Sequence, residues 1–286
     1  MVGVKDIKRR KKTIENTMKI TKAMELVAFS KLRKSKEQVS KTAPFFDEIY
    51  NTIKNISCLD KNLNNIFLKN NIIKKRCYVI IAGDKGLAGS YNGNILRTAQ
   101  SELLKYNKNN ILIASISKKS TDFFKKTDYD LYYKHEGLLE NFNIDLAFEI
   151  SKKLIDGFLN NQFQELSIIF TDFVSVLAQK PVIKKILPLD FSDFSDFNNI
   201  KNKNVIYDPS PGAVLDMIVP QYITGILYGA VVKSFASEQG SRRMAMESAS
   251  KNAKEMLKDL DVMFNKARQS SITQEITEIS AGARAI

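Results

Sequence analysis

The sequence predicts an α/β protein: a long antiparallel coiled coil of the N- and C-terminal helices, with an α/β domain inserted between them. Three observations predict it. From Pro211 onward only two prolines occur (Pro211 and Pro220), and after Lys233 no β-rich run interrupts a stretch dominated by Ala, Met, Leu, Glu, Lys, Arg and Gln, the residues that lose least entropy in a helix. Residues 3–42 likewise contain no proline and no glycine after Gly3. At Cys77 the texture changes to short apolar, β-branched runs alternating with helical ones, as in a sheet buried on both faces.

These textures divide the chain into an N-terminal shaft helix over 1–56, a linker over 57–76, an α/β domain over 77–207 and a C-terminal shaft helix over 208–286. In the first helix Ile7, Ile14, Thr21 and Ala28 recur at strict sevens, with Met18 and Met24 beside them. In the last helix small or apolar residues recur at spacings of three and four through Ile223, Leu227, Ala230, Ser234, Ser237, Ser241, Met244 and Ser248, then through Leu260, Phe264, Ala267 and Ser271. Such narrow seams belong to a helix that meets a partner helix. A straight helix of about seventy residues would be roughly 105 Å long at ~1.5 Å per residue, too long to be stable unaccompanied. Ile20, Leu26, Val27 and Phe29 lie off the first seam, so they must meet something other than the partner helix. Pro44 is expected to kink or break the first helix, after which FFDEIYNTIKNI resumes a helical period. The Asn/Lys-rich stretch from Ser57 to Lys75 reads as a linker or surface loop.

Within the insert, CYVIIAG is a buried strand, followed by the glycine loop GDKGLAGSYNGN and a helix from about Ile95 to Tyr106. ILIASIS is a second strand, STDFFKKT a short helix, DLYYKHEGL a strand and turn, Ile144 to Asn160 an amphipathic helix, and ELSIIFTDF another strand. VSVLAQKPVIKKILPLD contains an edge hairpin, because Pro181 suits an edge position. The alternation indicates a Rossmann-like α/β domain with a largely parallel sheet. FSDFSDFNNIKNKN is a surface loop leading to VIYDPSPGAV and the final helix.

Composition narrows the chemistry. Two cysteines, Cys58 and Cys77, and one histidine, His135, leave little for a disulfide framework, a metal site or a His-based triad. The glycine loop (Gly83, Gly86, Gly89, Gly93) fits neither a dinucleotide fingerprint nor a P-loop, and Asp190, Asp193 and Asp196 stand in a loop without a base, nucleophile or metal partner. No catalytic, cofactor-binding or metal-binding residue is assigned. The first residues are basic with no apolar core of a signal peptide behind them. Met217 to Val232 is the longest uncharged run, shorter than the ~20 residues that span a bilayer, so a soluble or membrane-peripheral protein is expected. Net charge is +13, concentrated in residues 1–42, where thirteen basic residues face four acidic ones. Such an arm seeks an acidic partner or presents a solvated face. Arg268, Gln269 and Thr273, beside an apolar stripe of Ile272, Ile276 and Ile279, are suited to hydrogen-bonding a partner's carboxylates.

The segments KDIKRR, IENTMKITKAMELVAFSKLRKS, GDKGLAGSYN, YDPSP, ASEQGSRRMAMESASKNA and NKARQSSITQEITEISAGA, in this order, resemble the gamma subunit of the rotary ATP synthase of bacteria and organelles. The resemblance is dense at both ends and looser in the middle. It implies a non-catalytic shaft of a multisubunit enzyme. The shaft's upper part would stand inside the hexamer of alpha and beta subunits, and its foot would stand on the c-ring and bind the epsilon subunit. Proton flow would turn ring and shaft together and drive ATP synthesis on the neighbouring subunits, at the cytoplasmic face of the bacterial inner membrane. By position, it implies that Lys22 and Met24 face a beta subunit, that Arg268, Gln269 and Thr273 hydrogen-bond its catch loop, and that Tyr207 and Asp208 meet polar loops of the c-ring. Two departures stand out: GLAGSYN replaces a core often written GLCG, and Gly240 stands where Ala or a bulkier residue is usual, which suggests a softer shaft there. No nucleic acid is implied. A basic coiled-coil protein that binds nucleic acid and an α/β enzyme with helical arms are the alternatives, and each lacks its expected motif.

Overall fold

The computed structural model describes residues 3–59, 65–68, 72–135, 137, 139–175, 178–190 and 207–284. Helix α1 spans Val4–Leu59 and helix α5 spans Pro211–Arg284. Between them lie β1 (Arg76–Ile80), α2 (Tyr91–Leu103), β2 (Ile111–Ser115), α3 (Lys118–Phe124), β3 (Asp130–Lys134), α4 (Ile144–Leu159), β4 (Glu165–Phe173) and β5 (Gln179–Leu187). Contacts group the chain into two compact units, residues 1–29 with 242–286 and residues 30–241.

In the first unit α1 and α5 run antiparallel, because Thr21 meets Ser250 and Lys11 meets Asp261. Along α1 a seam of shielded positions runs Ile7, Lys11, Ile14, Met18, Thr21, Glu25 and Ala28, with Glu15 and Met24 partly shielded beside it, and along α5 a seam runs Met246, Ser250, Ala253, Leu257, Leu260, Phe264, Ala267 and Ser271, with Ala245, Ala249 and Asp261 partly shielded beside it. Both sets alternate steps of four and three, the spacing of a coiled-coil seam. The expected seam of α1 and the Leu260–Ser271 seam of α5 are therefore present. Met244 and Ser248 are not part of it: both are exposed, and Met246 takes the seam position. The reason lies upstream. From Tyr222 to Arg242 nearly every residue of α5 is shielded, so a three-four spacing read there carries no phase to extend.

The second unit is a three-layer α/β body. The sheet order is β3-β2-β1-β4-β5, with β1, β2, β3 and β4 mutually parallel along the ladder and β5 antiparallel on the edge. Pro181 sits on that edge strand, opposite Thr171, where its missing N–H leaves no interior ladder bond unmade. One sheet face (Tyr78, Ile80, Ile113) packs on α2 and α3 through Ile95, Ala99, Leu103 and Phe124. The other face (Cys77, Val79, Ile81) shares a larger core with α4 and with the segments Ile49–Ile56 of α1 and Leu215–Val232 of α5.

Several expectations are corrected. Of the kink or break expected at Pro44 the break is absent, since α1 runs through it; Pro44 is exposed, so the carbonyl it leaves unpaired can be hydrated. α2 begins at Tyr91, four residues before the expected start, which the run Asn92-Gly93-Asn94 conceals. Within the expected linker, Asn65 and Phe67 are buried: the Asn65 amide donates to Asp216 Oδ1 at 2.7 Å, and the Phe67 carbonyl accepts from the Leu189 N–H. Gly240 is buried, and a Cβ there would stand 3.1 Å from the Gln179 amide and 3.3 Å from the Phe173 ring. Glycine at this position serves close packing, not softness. The expected loop at 191–204, with Asp193 and Asp196, lies outside the described residues, as does the Cys58 side chain. α5 is apolar and long enough to cross a membrane by composition, yet 56% of its apolar window is buried inside the protein.

Candidate functional site

Several polar groups of the coil pair within the chain. The Lys22 ammonium donates to both carboxylate oxygens of Glu25, at 3.0 and 3.1 Å. This pairing shields Glu25, which is only 8% exposed on the seam, whereas the Lys22 side chain is 59% exposed and open on its outer side. Lys11 reaches Asp261 at 2.6 Å, and the hydrogen bond to that carboxylate holds the Lys11 ammonium above its ordinary pKa. The Arg243 guanidinium lies over the Phe29 ring, 4.8 Å from its centroid.

The expected contact residues occupy three places. Lys22 and Met24 sit at the level of the Thr21–Ser250 contact. Arg268, Gln269 and Thr273 lie about eighteen residues further along α5, or ~27 Å at the helical rise, and all three are exposed. The Thr273 hydroxyl donates to the Gln269 carbonyl at 2.9 Å, so it serves its own helix, while the Arg268 and Gln269 side chains project outward with no ion pair among the described residues. Tyr207 and Asp208 belong to the second unit. Tyr207 packs half-buried on the core beside α5, where burial pushes its phenol up, and Asp208 is exposed ahead of α5. Ser210 caps α5: its hydroxyl accepts from the Ala213 N–H at 3.3 Å, and Pro211 takes the first helical position, where proline's missing N–H costs nothing.

The apolar surface of the coil is the larger feature. Ile20, Leu26, Val27 and Phe29 are 48–61% exposed on α1, in line with their place off the seam. On α5, Ile272, Ile276 and Ile279 are 46%, 62% and 72% exposed. Val262 and Met263, at 69% and 57%, were not evident from the sequence; the strict sevens through Met246, Ala253, Leu260 and Ala267 exclude them from the seam and would have revealed them. Opposite Lys11 stands Asp261, so α1 begins opposite Ala267 or Arg268, and among the described residues α5 continues without a partner helix beyond Ser271. A solitary helical end of that length is marginal in water, and an isoleucine stripe on it is an interaction surface.

His135 follows β3, its backbone N–H bonded to the Ser115 carbonyl at 2.8 Å and its ring edge-on to Phe142. Burial lowers its pKa, with Asp84 opposing. Cys77 is wholly buried in the core, which pushes its thiol up.

An antiparallel coil with exposed apolar stripes and a core-packed α/β body define a chain built to work inside an assembly. The ATP synthase family matches residues 3–286, and the chain belongs to the gamma-chain family of ATP synthases. It is similar to the ATP synthase gamma chain of Ruminococcus albus, with 41% identity over 285 residues, 99% of this chain and 98% of that one. The gamma chain of Alkaliphilus metalliredigens is 39% identical over 100% of this chain and 99% of its own length, and the sodium-ion-specific gamma chain of Acetobacterium woodii is 36% identical over 99% of each. Among solved structures, a chain of the Euglena gracilis mitochondrial ATP synthase superposes with a TM-score of 0.68 at 18% identity, over 99% of this chain and 94% of that one. A chain from the central stalk and c-ring structure of the Tetrahymena thermophila enzyme superposes at 0.64 with 23% identity, over 81% of this chain and 99% of that one.

Proposed function

We propose that this gamma chain is the central rotor shaft of a proton-driven ATP synthase, carrying torque between the c-ring and the alpha/beta hexamer so that ATP synthesis is coupled to ion flow. As a gamma chain it is part of a membrane-associated complex, and the cytoplasmic face of the bacterial inner membrane is the location that fits a peripheral subunit. In this reading residues 1–56 and 208–286 are the shaft and 77–207 the foot. Lys22, Met24, Arg268, Gln269 and Thr273 contact beta subunits, Tyr207 and Asp208 contact the c-ring, and epsilon binds the foot.

The observation that carries the reading is the bare isoleucine stripe of α5 beyond Ser271. An apolar sleeve supplied by the hexamer would cover it without specific bonds, which is what a turning contact requires. The polar residues at Arg268 and Gln269, with outward-facing side chains, would supply directional contacts at the rim of that sleeve. The test is purification through a tag on this chain: alpha, beta and epsilon chains should follow it, and the complex should rotate under ATP. Recovery of the chain alone under conditions where alpha and beta assemble would sink the reading.

A further inference from the structure

In the order β3-β2-β1-β4-β5 the chain leaves β1 toward β2 on one side and later returns to β4 on the other, so a topological switch lies between β1 and β4. In open α/β sheets the crevice outside the carboxyl ends of the strands at such a point is where ligands bind. Here α5 fills it. The Thr171 N–H, near the end of β4, donates to the Ser234 hydroxyl at 3.2 Å, and the Ser237 hydroxyl donates to the Thr171 carbonyl at 3.4 Å. At the start of α2, just past the loop after β1, the Tyr91 hydroxyl donates to the Ser234 carbonyl at 3.0 Å. Asn92 braces the same loop, accepting from the Gly83 N–H at 2.8 Å and donating to the Lys85 carbonyl at 3.2 Å. The Glu238 carboxylate lies against Gly83: a Cβ on Gly83 would stand 2.8 Å from Glu238 Cδ and 3.0 Å from Oε2. Ser234 and Ser237 are wholly buried and Glu238 is 2% exposed.

Stability alone does not select this set. Two buried serines and a buried carboxylate on a helix could be replaced by alanine and leucine, and sequestering a carboxylate costs several kcal/mol before its bonds compensate. What the polar set adds is direction. A step of one residue turns a helix by about 100°, so any rotation of α5 within the body breaks these bonds together, whereas apolar packing alone tolerates rearrangement. We infer that the switch-point crevice works as a clamp, in which Ser234, Ser237 and Glu238 act as an intramolecular ligand and fix the rotation of α5 in the α/β body, so that torque applied to the body enters the helix there. Glu238 is a positioning residue, held in place by the absence of a side chain at Gly83. The inference rests on the rotor reading for its functional half; the structural half stands on the contacts.

The test uses Gly83→Ala, Glu238→Ala, their double variant and the milder Tyr91→Phe. In the isolated full-length chain, amide exchange of residues 83–90 reads the clamp directly. Each of the first two single changes should speed it about tenfold or more, Tyr91→Phe less, and the double variant no further than Glu238→Ala alone, because the two changes act on one contact. In the complex reconstituted into vesicles, ion pumping per ATP hydrolysed should fall at least about twofold while hydrolysis continues, a split that mere loss of assembly would not give. Unchanged exchange in both single variants, or additive effects in the double, overturns the clamp. Faster exchange with wild-type pumping per ATP overturns its role in torque. A wild-type chain that supports no pumping contradicts the rotor reading instead, and the exchange result still decides the clamp.

Discussion

Thr21 and Ser250 meet hydroxyl to hydroxyl at 2.8 Å across the seam of the coil. Thr21 also donates to the Met18 carbonyl at 3.0 Å, leaving its oxygen to accept from Ser250. A polar pair among Ala28, Met246 and Ala253 lets the backbones approach and, as polar residues in coiled-coil seams do, specifies one register. Removing one hydroxyl, by Thr21→Val or Ser250→Ala, should cost about 0.5–1.5 kcal/mol, and the double replacement less than the sum of the two. Urea unfolding of the four chains measures the coupling; strict additivity would show that the pair does not interact.

At Gly225 the helix backbone presses on Phe46, whose ring an added Cβ would overlap. Gly225→Ala gains helix propensity but displaces the ring, and the second effect should win, with a net loss of about 1–3 kcal/mol. The same change at exposed Gly93, in α2, where a Cβ meets open space, should stabilise by up to about 1 kcal/mol. Thermal unfolding separates the two.

His135 gives a pH dependence with a defined sign. Its folded pKa lies below the ordinary 6.5 because burial opposes the charged form. The unfolded chain therefore binds the proton first, and stability is complete above about pH 6.5 and declines as pH falls through the folded value. His135→Phe should flatten the stability profile between neutral and mildly acidic pH. An unchanged slope there would assign the acid sensitivity to other groups.

The unaccompanied end of α5 should matter to the assembly and not to the chain. Truncation after Ser271 should change the unfolding free energy by less than about 0.5 kcal/mol, since residues 272–281 are all exposed. Ile272→Ser, Ile276→Ser and Ile279→Ser together should keep the chain folded and weaken its retention in the alpha/beta hexamer, seen as faster loss of the chain on gel filtration.

Much of this architecture was legible because periodicity is a long-range signal. Ile7, Ile14, Thr21 and Ala28 mark their seam in any register of reading, and Pro181 marks its edge. The signal failed where burial surrounds the helix, which mis-phased Met244 and Ser248, and where local signals conflict with tertiary packing, as at Pro44, Asn92 and Phe67. The crevice contacts of Ser234, Ser237 and Glu238 were hidden for a different reason: they depend on strand order, which no spacing encodes. Lys22 and Arg268 were found as residue types, but their separation along the coil came only with the Thr21–Ser250 register.

The account depends most on the two terminal helices turning as one body. A disulfide between Thr21→Cys and Ser250→Cys, introduced in the assembled complex, tests this directly. It should form readily under mild oxidation, and ATP-driven rotation of the cross-linked shaft should continue at close to the uncross-linked rate. Failure of the pair to cross-link, or arrest of rotation once it has, would contradict the account.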